Sequence, residues 1–458
     1  MNMTQRKALV VLAAIVLAGM SGRSGVMFAA ENWPQFRGPL SNSVADDTDL
    51  PERWSGTENV AWKTKIPGRG WSAPIVWGKR IFLTSVTSAD DQAERKRGIY
   101  FGGDQKVAPQ TPHQWRVFCL DRDDGRVLWE RVGHEGIPPQ SVHLKNTYAS
   151  ETPVTDGERV YAYFGNLGIF CFDVDGAPQW SRTLGSFHTA DGMGTGSSPI
   201  LHGEQVIVLN DNEDDSFLLA LDRKSGAENW RVARPEKSCW STPYIWRHPQ
   251  RTELIVSGSG VARSYDLGGK LLWQLGDLSA HSIPSPVAGP DLLYLASGHV
   301  LSSKRPIVAI RAGASGDISL AGDAASNDFV AWCLKRAAPY NPSLLYSRDY
   351  VYALTDLGIL SCYDAHTGKT VYERKRLPNG RSFTASPWAA NGQIYCLSEF
   401  GDTFVVRAGP AFEVLRVNSL GDEEMFLATP AIAGRQLLIR GEHTLYAIQK
   451  EAPAGQAR

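Results

Sequence analysis

The chain has 458 residues, a formal net charge of −1 and 43% hydrophobic residues. This nearly neutral balance excludes the strongly basic surface that nucleic-acid binding requires, and it gives no basis for electrostatic binding to a membrane. The length is sufficient for a large core, and the 14 Trp and 44 Gly are typical of packed, tightly turned β-sheets.

The first residues have the pattern of a secretory signal. The basic pair Arg6-Lys7 is followed by an uncharged, mostly apolar run from Ala8 to Met20. A membrane-spanning helix needs ~20 apolar residues, so this shorter run favours a signal core. The sequence predicts a signal peptide over residues 1–30, cleaved after Ala29-Ala30, and an exported protein, periplasmic or extracellular, without a transmembrane span in its mature part. An uncleaved anchor is the alternative, because Phe28 is unusual three positions before the cut.

A proline that follows a small or polar residue and opens an apolar run returns eight times. Successive prolines are 79, 46, 44, 43, 56, 45 and 43 residues apart. A period of about 40–50 residues is typical of a propeller or a solenoid. The eight pairs are Ala73-Pro74, Thr152-Pro153, Ser198-Pro199, Thr242-Pro243, Ser285-Pro286, Asn341-Pro342, Ser386-Pro387 and Thr429-Pro430.

Each repeat contains short apolar runs separated by Gly- and Asp-rich turns, which predicts four strands. The last turn recurs as an Asp, a Gly and then an aromatic residue, as in Asp222, Gly226 and Trp230. The Asp caps the turn and the Gly adopts positive φ. The aromatic ring is expected to pack between neighbouring blades. The same ending occurs at Asp121 to Trp129, Asp173 to Trp180, Asp266 to Trp273 and Asp364 to Tyr372.

Three repeats depart from this ending. The fifth and seventh have Arg311-Ala312-Gly313 and Arg407-Ala408-Gly409 in its place, and the eighth stops one strand short at Tyr446-Ala447-Ile448. The missing strand is expected at Asn59-Val60-Ala61-Trp62-Lys63, so that the two ends of the chain close the ring. The sequence therefore predicts an all-β fold: one eight-bladed β-propeller of four-stranded antiparallel blades over residues 31–450, with a disordered tail at 451–458.

The cysteines are not expected to form disulfides. Cys119, Cys171 and Cys362 each lie two residues before an Asp, so they occupy one position in three different blades. Such positions are too far apart for a disulfide. We expect small buried side chains.

These repeats resemble those of the quinoprotein alcohol dehydrogenase-like propellers, the eight-bladed pyrroloquinoline quinone (PQQ) repeat family. The resemblance covers about Trp33 to Gln449. The stretches Asn32 to Gly38 and Lys145 to Glu158 are typical of an exported branch of that family. The family includes PQQ enzymes and also non-catalytic proteins, such as the propeller lipoprotein of outer-membrane protein assembly. The resemblance therefore implies the fold more strongly than the function.

The resemblance does not extend to a recognisable catalytic set. A PQQ dehydrogenase needs a divalent cation, acidic and amide ligands, and an Asp base. The alcohol-oxidising branch also has two adjacent cysteines, whereas no two cysteines are adjacent here. We assign no catalytic residues and expect a non-enzyme. PQQ and calcium are the cofactors of the alternative, a PQQ- and Ca-dependent alcohol or sugar oxidoreductase.

A binding site is expected at the mouth of the central channel, where segments leading into the inner strands converge. Basic side chains there could hold a carboxylate or phosphate, and Trp could stack on a planar or sugar ring. The alternative is a solvated rim without a dedicated ligand. The candidate residues are Arg69, Trp71, Lys145, Asn146, Tyr148, Lys237, Trp240 and His281.

A weaker candidate concerns a metal ion. Asp211, Glu213 and Asp215 place oxygen ligands at alternate positions, which suits calcium. The turn glycine of an EF-hand is missing, so a solvated hairpin is favoured.

Together the patterns predict a non-catalytic exported propeller that acts as a binding or scaffold protein. Its partner would be a protein or peptide of the cell envelope, or a small anionic or sugar ligand at the channel mouth. Strand addition at a blade edge and rim binding are both consistent with the fold.

Overall fold

A computed structural model describes residues 31–46, 48–89, 95–100 and 108–451. Within these ranges the chain forms eight sheets, each with four antiparallel strands, arranged as a β-propeller. The predicted fold class is confirmed. The predicted signal peptide and all but the first residue of the predicted disordered tail lie outside the described residues. No helix in the described part of the chain is long and apolar enough to cross a bilayer.

The strands are short and most are bounded by turns with Gly or Asp. In chain order they are β1 (Val44–Ala45), β2 (Val60–Lys65), β3 (Ile75–Trp77), β4 (Arg80–Ser88), β5 (His113–Asp121), β6 (Val127–Gly136), β7 (Val154–Thr155), β8 (Arg159–Phe164), β9 (Gly168–Asp173), β10 (Pro178–Thr183), β11 (Ile200–His202), β12 (Gln205–Asn210), β13 (Phe217–Asp222), β14 (Glu228–Ala233), β15 (Tyr244–His248), β16 (Arg251–Ser257), β17 (Ala262–Tyr265), β18 (Leu271–Leu275), β19 (Val287–Ala288), β20 (Leu292–Ala296), β21 (Ile307–Arg311), β22 (Gly316–Asp317), β23 (Val330–Leu334), β24 (Leu345–Ser347), β25 (Tyr350–Leu354), β26 (Ile359–Asp364), β27 (Thr370–Arg376), β28 (Trp388–Ala390), β29 (Gln393–Leu397), β30 (Asp402–Arg407), β31 (Val414–Ser419), β32 (Ala431–Ala433), β33 (Gln436–Arg440) and β34 (Thr444–Ile448). One turn of 3-10 helix spans Ala190–Gly192.

Each blade uses four consecutive strands, with two exceptions. Blades 1 to 4 contain β3–β6, β7–β10, β11–β14 and β15–β18, blade 5 contains β19–β21 and β23, and blades 6 and 7 contain β24–β27 and β28–β31. Blade 8 combines β32–β34 with β2, which pairs antiparallel to β34. The predicted closure of the ring by strands from both ends is therefore confirmed.

The fifth repeat does have a fourth strand with an aromatic residue, but it comes later than the sequence pattern suggested. After Arg311 the chain leaves the blade and returns as β23, which carries Trp332. The intervening segment contributes β22, which pairs parallel to the outer strand β18 of blade 4. This long segment thus extends the neighbouring blade.

The recurring Asp–Gly–aromatic ending joins each blade to the next one. Trp180 of blade 2 donates its indole N–H to the Arg223 carbonyl in the last turn of blade 3, at 3.1 Å. Gly226 in that turn has φ 71°, and a Cβ there would lie 2.5 Å from the Trp180 ring. The glycine is thus required both by the turn and by the ring. Equivalent pairs are Trp62 with Gly125, Trp129 with Gly176, Trp230 with Gly269 and Trp332 with Gly368.

A second set of bonds joins the blades where the inner strands begin. At each junction of this kind a backbone N–H donates to a Ser or Thr hydroxyl of the next blade, over 2.9–3.1 Å. The seven hydroxyls, which we call the hydroxyl ring, belong to Thr152, Ser198, Thr242, Ser285, Ser343, Ser386 and Thr429. In blade 6 the hydroxyl is that of Ser343, so the Asn341-Pro342 pair is not the structural equivalent of the other seven pairs.

The junction between blades 8 and 1 differs, because Ala73 has no hydroxyl. There the guanidinium of Arg440, which is 1% exposed, reaches from β33 into blade 1. It donates to the carbonyl of Ser72 at 2.8 Å and to that of Thr84 at 2.7 Å. Burial lowers the pKa of Arg440 to about 9, so the group remains charged at neutral pH.

The segment before β2 crosses one end of the central channel. Trp33 pairs with Val76 of blade 1 through two backbone bonds of 2.8 Å. The buried Arg37 donates to the carbonyls of Pro286 and Leu344 in blades 5 and 6. Farther along, β1 pairs parallel to β28 of blade 7. This N-terminal segment therefore contacts inner strands on several sides and closes that end of the channel.

The six cysteines are all buried and unpaired. Cys119, Cys171 and Cys362 lie on β5, β9 and β26, each the third strand of its blade. They are small core residues, as expected from their spacing.

Candidate functional site

A cavity of about 290 Å³ lies in the central channel, between the N-terminal segment at one end and residues 98–100 at the other. All seven residues of the hydroxyl ring line it, and Phe36 of the N-terminal segment lines it as well. Trp71 and Trp240 belong to its wall, and residues 98–100 belong to its cover. The cavity is therefore blind, with a polar ring near its base and aromatic side chains around it.

The cover comes from the long insertion between β4 and β5. Lys145 donates from Nζ to the Gly98 carbonyl at 3.0 Å, and His143 Nε2 lies 3.1 Å from the Tyr100 carbonyl. Arg97 donates to the carbonyls of Asp422 and Glu424 in blade 8. These bonds tie residues 95–100 to both sides of the mouth.

The lysine in the cavity lining is neutralised by a buried carboxylate. Lys145 Nζ lies 2.5 Å from Glu399 Oε1, and the two side chains are 13% and 2% exposed. Glu399 also accepts hydrogen bonds from the Thr384 hydroxyl and from the Gly98 N–H, at 2.7 and 2.8 Å. Burial lowers the pKa of His143 below its ordinary value, so this ring is neutral at neutral pH.

Four of the residues predicted from sequence line the cavity: Trp71, Lys145, Asn146 and Trp240. Trp71 donates its indole N–H to the Lys145 carbonyl at 2.5 Å, and Trp240 donates to the Gly194 carbonyl at 2.6 Å. Asn146 donates to the Met193 and Thr195 carbonyls. Both indoles and this amide are thus fixed by backbone bonds.

The other four predicted residues lie elsewhere. Arg69 pairs with Glu442 at 3.2 Å, and Lys237 is exposed and donates to the Glu213 carbonyl. Tyr148 packs edge-on against Trp115, behind the wall.

His281 contacts Trp240 from outside the lining, with ring centroids 5.8 Å apart.

The three carboxylates considered for calcium do not converge. Asp211 is fully buried in a two-bond pair with Arg234, at 2.7 and 2.9 Å. Glu213 accepts bonds from the N–H and hydroxyl of Ser238, and Asp215 is exposed. Among the described residues, no group of three or more His, Cys, Asp or Glu side chains is placed to hold a metal ion.

Sequence reasoning missed several residues around the cavity. Glu399 follows a strand of blade 7, 254 residues from its partner Lys145. Glu151 is fully buried beside Thr152, and burial raises its pKa to about 7. Asp356 accepts a bond from the Asn341 side chain at the wall, and burial raises its pKa to about 6. Glu151 lies within the stretch from Lys145 to Glu158 that resembles the family, and this resemblance is the sequence signal that points to it.

The fold and the blind cavity define the protein as a closed β-propeller with a ligand-sized pocket on its axis. Residues 113–372 match the family described as outer membrane protein assembly factor BamB (PQQ_2). This match covers more than half of the chain, so the chain belongs to that family. The resemblance stated from the repeats is confirmed.

Solved structures with the same fold are distant in sequence. BamB from Moraxella catarrhalis is 13% identical, with a TM-score of 0.52 over 82% of this chain and 99% of that one. The quinohemoprotein alcohol dehydrogenase ADHIIG from Pseudomonas putida HK5 is 13% identical, with a TM-score of 0.59 over 94% and 83%. The computationally designed Ika8 protein is 10% identical, with a TM-score of 0.53 over 85% and 99%. No curated protein matches the chain.

Proposed function

We propose that the protein is a non-catalytic binding or scaffold protein of the cell envelope, which holds a small ligand or part of a partner in the cavity at the channel mouth. The family description, an outer membrane assembly factor, supports the envelope and the scaffold role. The predicted signal over residues 1–30 supports export. The observation that carries the proposal is the blind cavity of about 290 Å³, because concave sites with aromatic walls and a few polar groups are the usual form of ligand sites.

The residues around the cavity do not fit PQQ with calcium. Calcium requires several oxygen ligands, normally carboxylates, and none of the described residues that line the cavity is an Asp or Glu. Two carboxylates that bind lining residues are already engaged: Glu399 by Lys145, Thr384 and the Gly98 N–H, and Asp356 by the Asn341 amide. The oxidoreductase alternative therefore has no ligand set in this part of the chain.

Site-specific photo-crosslinking in cells tests the proposal. Ile99 is 40% exposed in the cover of the cavity, and Leu271, 46% exposed on the outer strand of blade 4, is a matched control. A photoreactive residue at position 99 should form a discrete adduct, which disappears when Trp240 and Lys145 are both replaced by Ala. Equal adducts from both positions, or an adduct that survives the double replacement, would contradict the proposal.

A titration of the full chain with PQQ and calcium tests the alternative. The proposal predicts no saturable change in Trp fluorescence and no dye-linked oxidation of alcohols or sugars. Stoichiometric binding with turnover would make the protein an enzyme.

A further inference from the structure

The hydroxyl ring presents unused hydrogen-bond donors to the cavity. Each of the seven oxygens accepts a backbone N–H from the preceding blade. A hydroxyl can also donate, yet none of the seven donates to an acceptor within the described residues. The seven residues are only 2–7% exposed. Buried donors without acceptors are unfavourable, so a ligand that supplies several acceptor oxygens would be stabilised here.

Tyr100 in the cover adds an eighth donor of the same kind. Its hydroxyl is buried and has no hydrogen-bond partner among the described residues. The Lys96 backbone N–H approaches the phenol oxygen, but an N–H can only donate and cannot accept the phenol proton. Burial raises the pKa of Tyr100, so the phenol keeps its proton at neutral pH.

The cavity offers no free charge to a ligand. Lys145 is neutralised by Glu399. His143 is neutral, and its Nδ1 accepts the Lys145 backbone N–H at 3.1 Å, which leaves the Nε2 proton for the Tyr100 carbonyl. An anion would find no spare cation and a cation no spare carboxylate in the described lining, so the site selects against charged ligands.

The wall above the hydroxyl ring provides apolar faces, which add to the donors of the ring itself. Trp71, Trp240 and Ile99 line the cavity above the ring, and Phe36 lies at its base. Many acceptor oxygens, no net charge and an apolar C–H face are the combined properties of a sugar ring. The volume of about 290 Å³ is at the lower end for ligand sites, which suits one or two such rings.

We infer that the cavity binds a neutral saccharide of one or two rings, with its oxygens on the hydroxyl ring and Tyr100 and its C–H faces against Trp71 and Trp240. This inference rests on the proposed function, since it names the ligand class of that site. A peptide fits less well, because a blind cavity admits a chain end first and the described lining has no free group to neutralise a charged terminus.

The experiment is calorimetric titration of the full chain with glucose, N-acetylglucosamine, maltose, cellobiose and N,N′-diacetylchitobiose. Digalacturonate serves as the charged counterpart and an acetylated, amidated trialanine as the neutral peptide. We expect saturable binding of at least one of these neutral sugars, and at least tenfold weaker binding of digalacturonate and of the peptide. Failure of all five neutral sugars, or preference for the peptide or the charged sugar, would overturn the inference. An Ile99 adduct that persists in cells after such a failure would leave the proposed function standing.

A pair of variants separates binding from folding. Tyr100→Phe removes a hydroxyl whose proton no described protein group accepts, so affinity should fall about three- to tenfold while the denaturation midpoint changes little. Tyr350→Phe removes a phenol hydroxyl at the start of β25, outside the cavity lining, and should leave affinity unchanged. Equal affinity of wild type and Tyr100→Phe would exclude Tyr100 from the site and contradict the inferred pose.

Discussion

Seven junctions of this propeller and the eighth are built from different chemistry. At the seven, a neutral hydroxyl of the next blade accepts a backbone N–H, as Ser198 does for Thr152. At the eighth, where blade 8 meets blade 1, the buried guanidinium of Arg440 donates to backbone carbonyls. Seven of the eight repeats supply the hydroxyl, whereas the guanidinium occurs at one position. A repeated sequence thus builds most of the ring, and the joint between the two ends of the chain needs its own residue.

The eighth junction also has a cluster of charged side chains. Glu442, in the turn before β34, lies 3.2 Å from both Arg69 and Arg95. Arg440 approaches so closely that a Cβ on Gly70 would lie 2.5 Å from its Nη2. Closure therefore depends on long, charged side chains that reach across the joint, and the four predictions below alter one type of junction at a time.

The largest effect is expected from Arg440→Ala. The change leaves the carbonyls of Ser72 and Thr84 without their donor and opens a cavity, so stability should fall by about 3–5 kcal/mol. Urea denaturation followed by Trp fluorescence measures the change. Arg435→Ala, on an exposed turn of the same hairpin, should stay within about 0.5 kcal/mol. A loss below about 1 kcal/mol for Arg440→Ala would show that closure does not depend on it.

Glu151→Gln is expected to change how the stability of the protein depends on pH. Glu151 lies beside the hydroxyl junction between blades 2 and 3, where the Thr152 N–H donates to Ser198. The pKa of Glu151 is about 7, above its ordinary value, because the group is buried. The protonated carboxyl is favoured in the folded state, so its stabilising contribution is fully present below about pH 4.5. The contribution is lost as pH rises through about 7, and the free energy of unfolding then falls by roughly 3 kcal/mol at most. The amide stays neutral, so the variant should lose less stability between pH 5 and 8.

Denaturation midpoints measured at several pH values test this prediction. Asp356, with a pKa of about 6, titrates in the same range in both proteins and cancels from the comparison. Glu228→Gln, at an exposed surface pair with Arg182, is the control. Parallel pH profiles for wild type and Glu151→Gln would rule out the effect.

Ser198→Ala removes one bond of the hydroxyl ring. The Thr152 N–H then lacks its acceptor in a buried position, and we expect a loss of about 1–3 kcal/mol. Ser303→Ala, an exposed serine in a loop of blade 5, should be nearly neutral when measured by the same denaturation. If both variants behave alike, the hydroxyl bonds do not hold the blades together.

Ala73→Ser is the smallest change and should stabilise. It gives the eighth junction the hydroxyl that the other seven have, in a position to accept the Thr429 N–H, for a gain of about 0.5–1.5 kcal/mol. Ala280→Ser adds a hydroxyl at an exposed loop position and should have little effect. Destabilisation by Ala73→Ser would mean that Arg440 already fills the space at this junction.

Most of the architecture could be predicted because the repeated residues are the ones that make the contacts between blades. The Gly226 turn and the Trp180 ring meet directly, so their periodic recurrence reports a physical contact. The prediction failed in blade 6, where the proline is retained but the hydroxyl is that of Ser343. The pattern of prolines does not show which side chain accepts the bond.

The candidate site was less accessible to sequence reasoning. Trp71 and Trp240 could be proposed because they precede inner strands at equivalent places in their repeats. Glu399 could not, since nothing in the repeat indicates which side chain will reach Lys145 across the channel. Tyr100 lies in an insertion without any periodic pattern, and its position over the cavity depends on bonds to blades that are distant in sequence.

The pairing of β2 with β34 has a consequence for the order of folding. It joins Val60–Lys65 to Thr444–Ile448, so most of the chain must be synthesised before the last blade can be completed. Contacts between residues so far apart in sequence form slowly. Until then blade 7 and blade 1 each expose the face that packs against blade 8 in the finished molecule. An incompletely folded molecule therefore has two faces that are prone to aggregation. Protection of these faces during biogenesis is a requirement that the closed ring itself imposes.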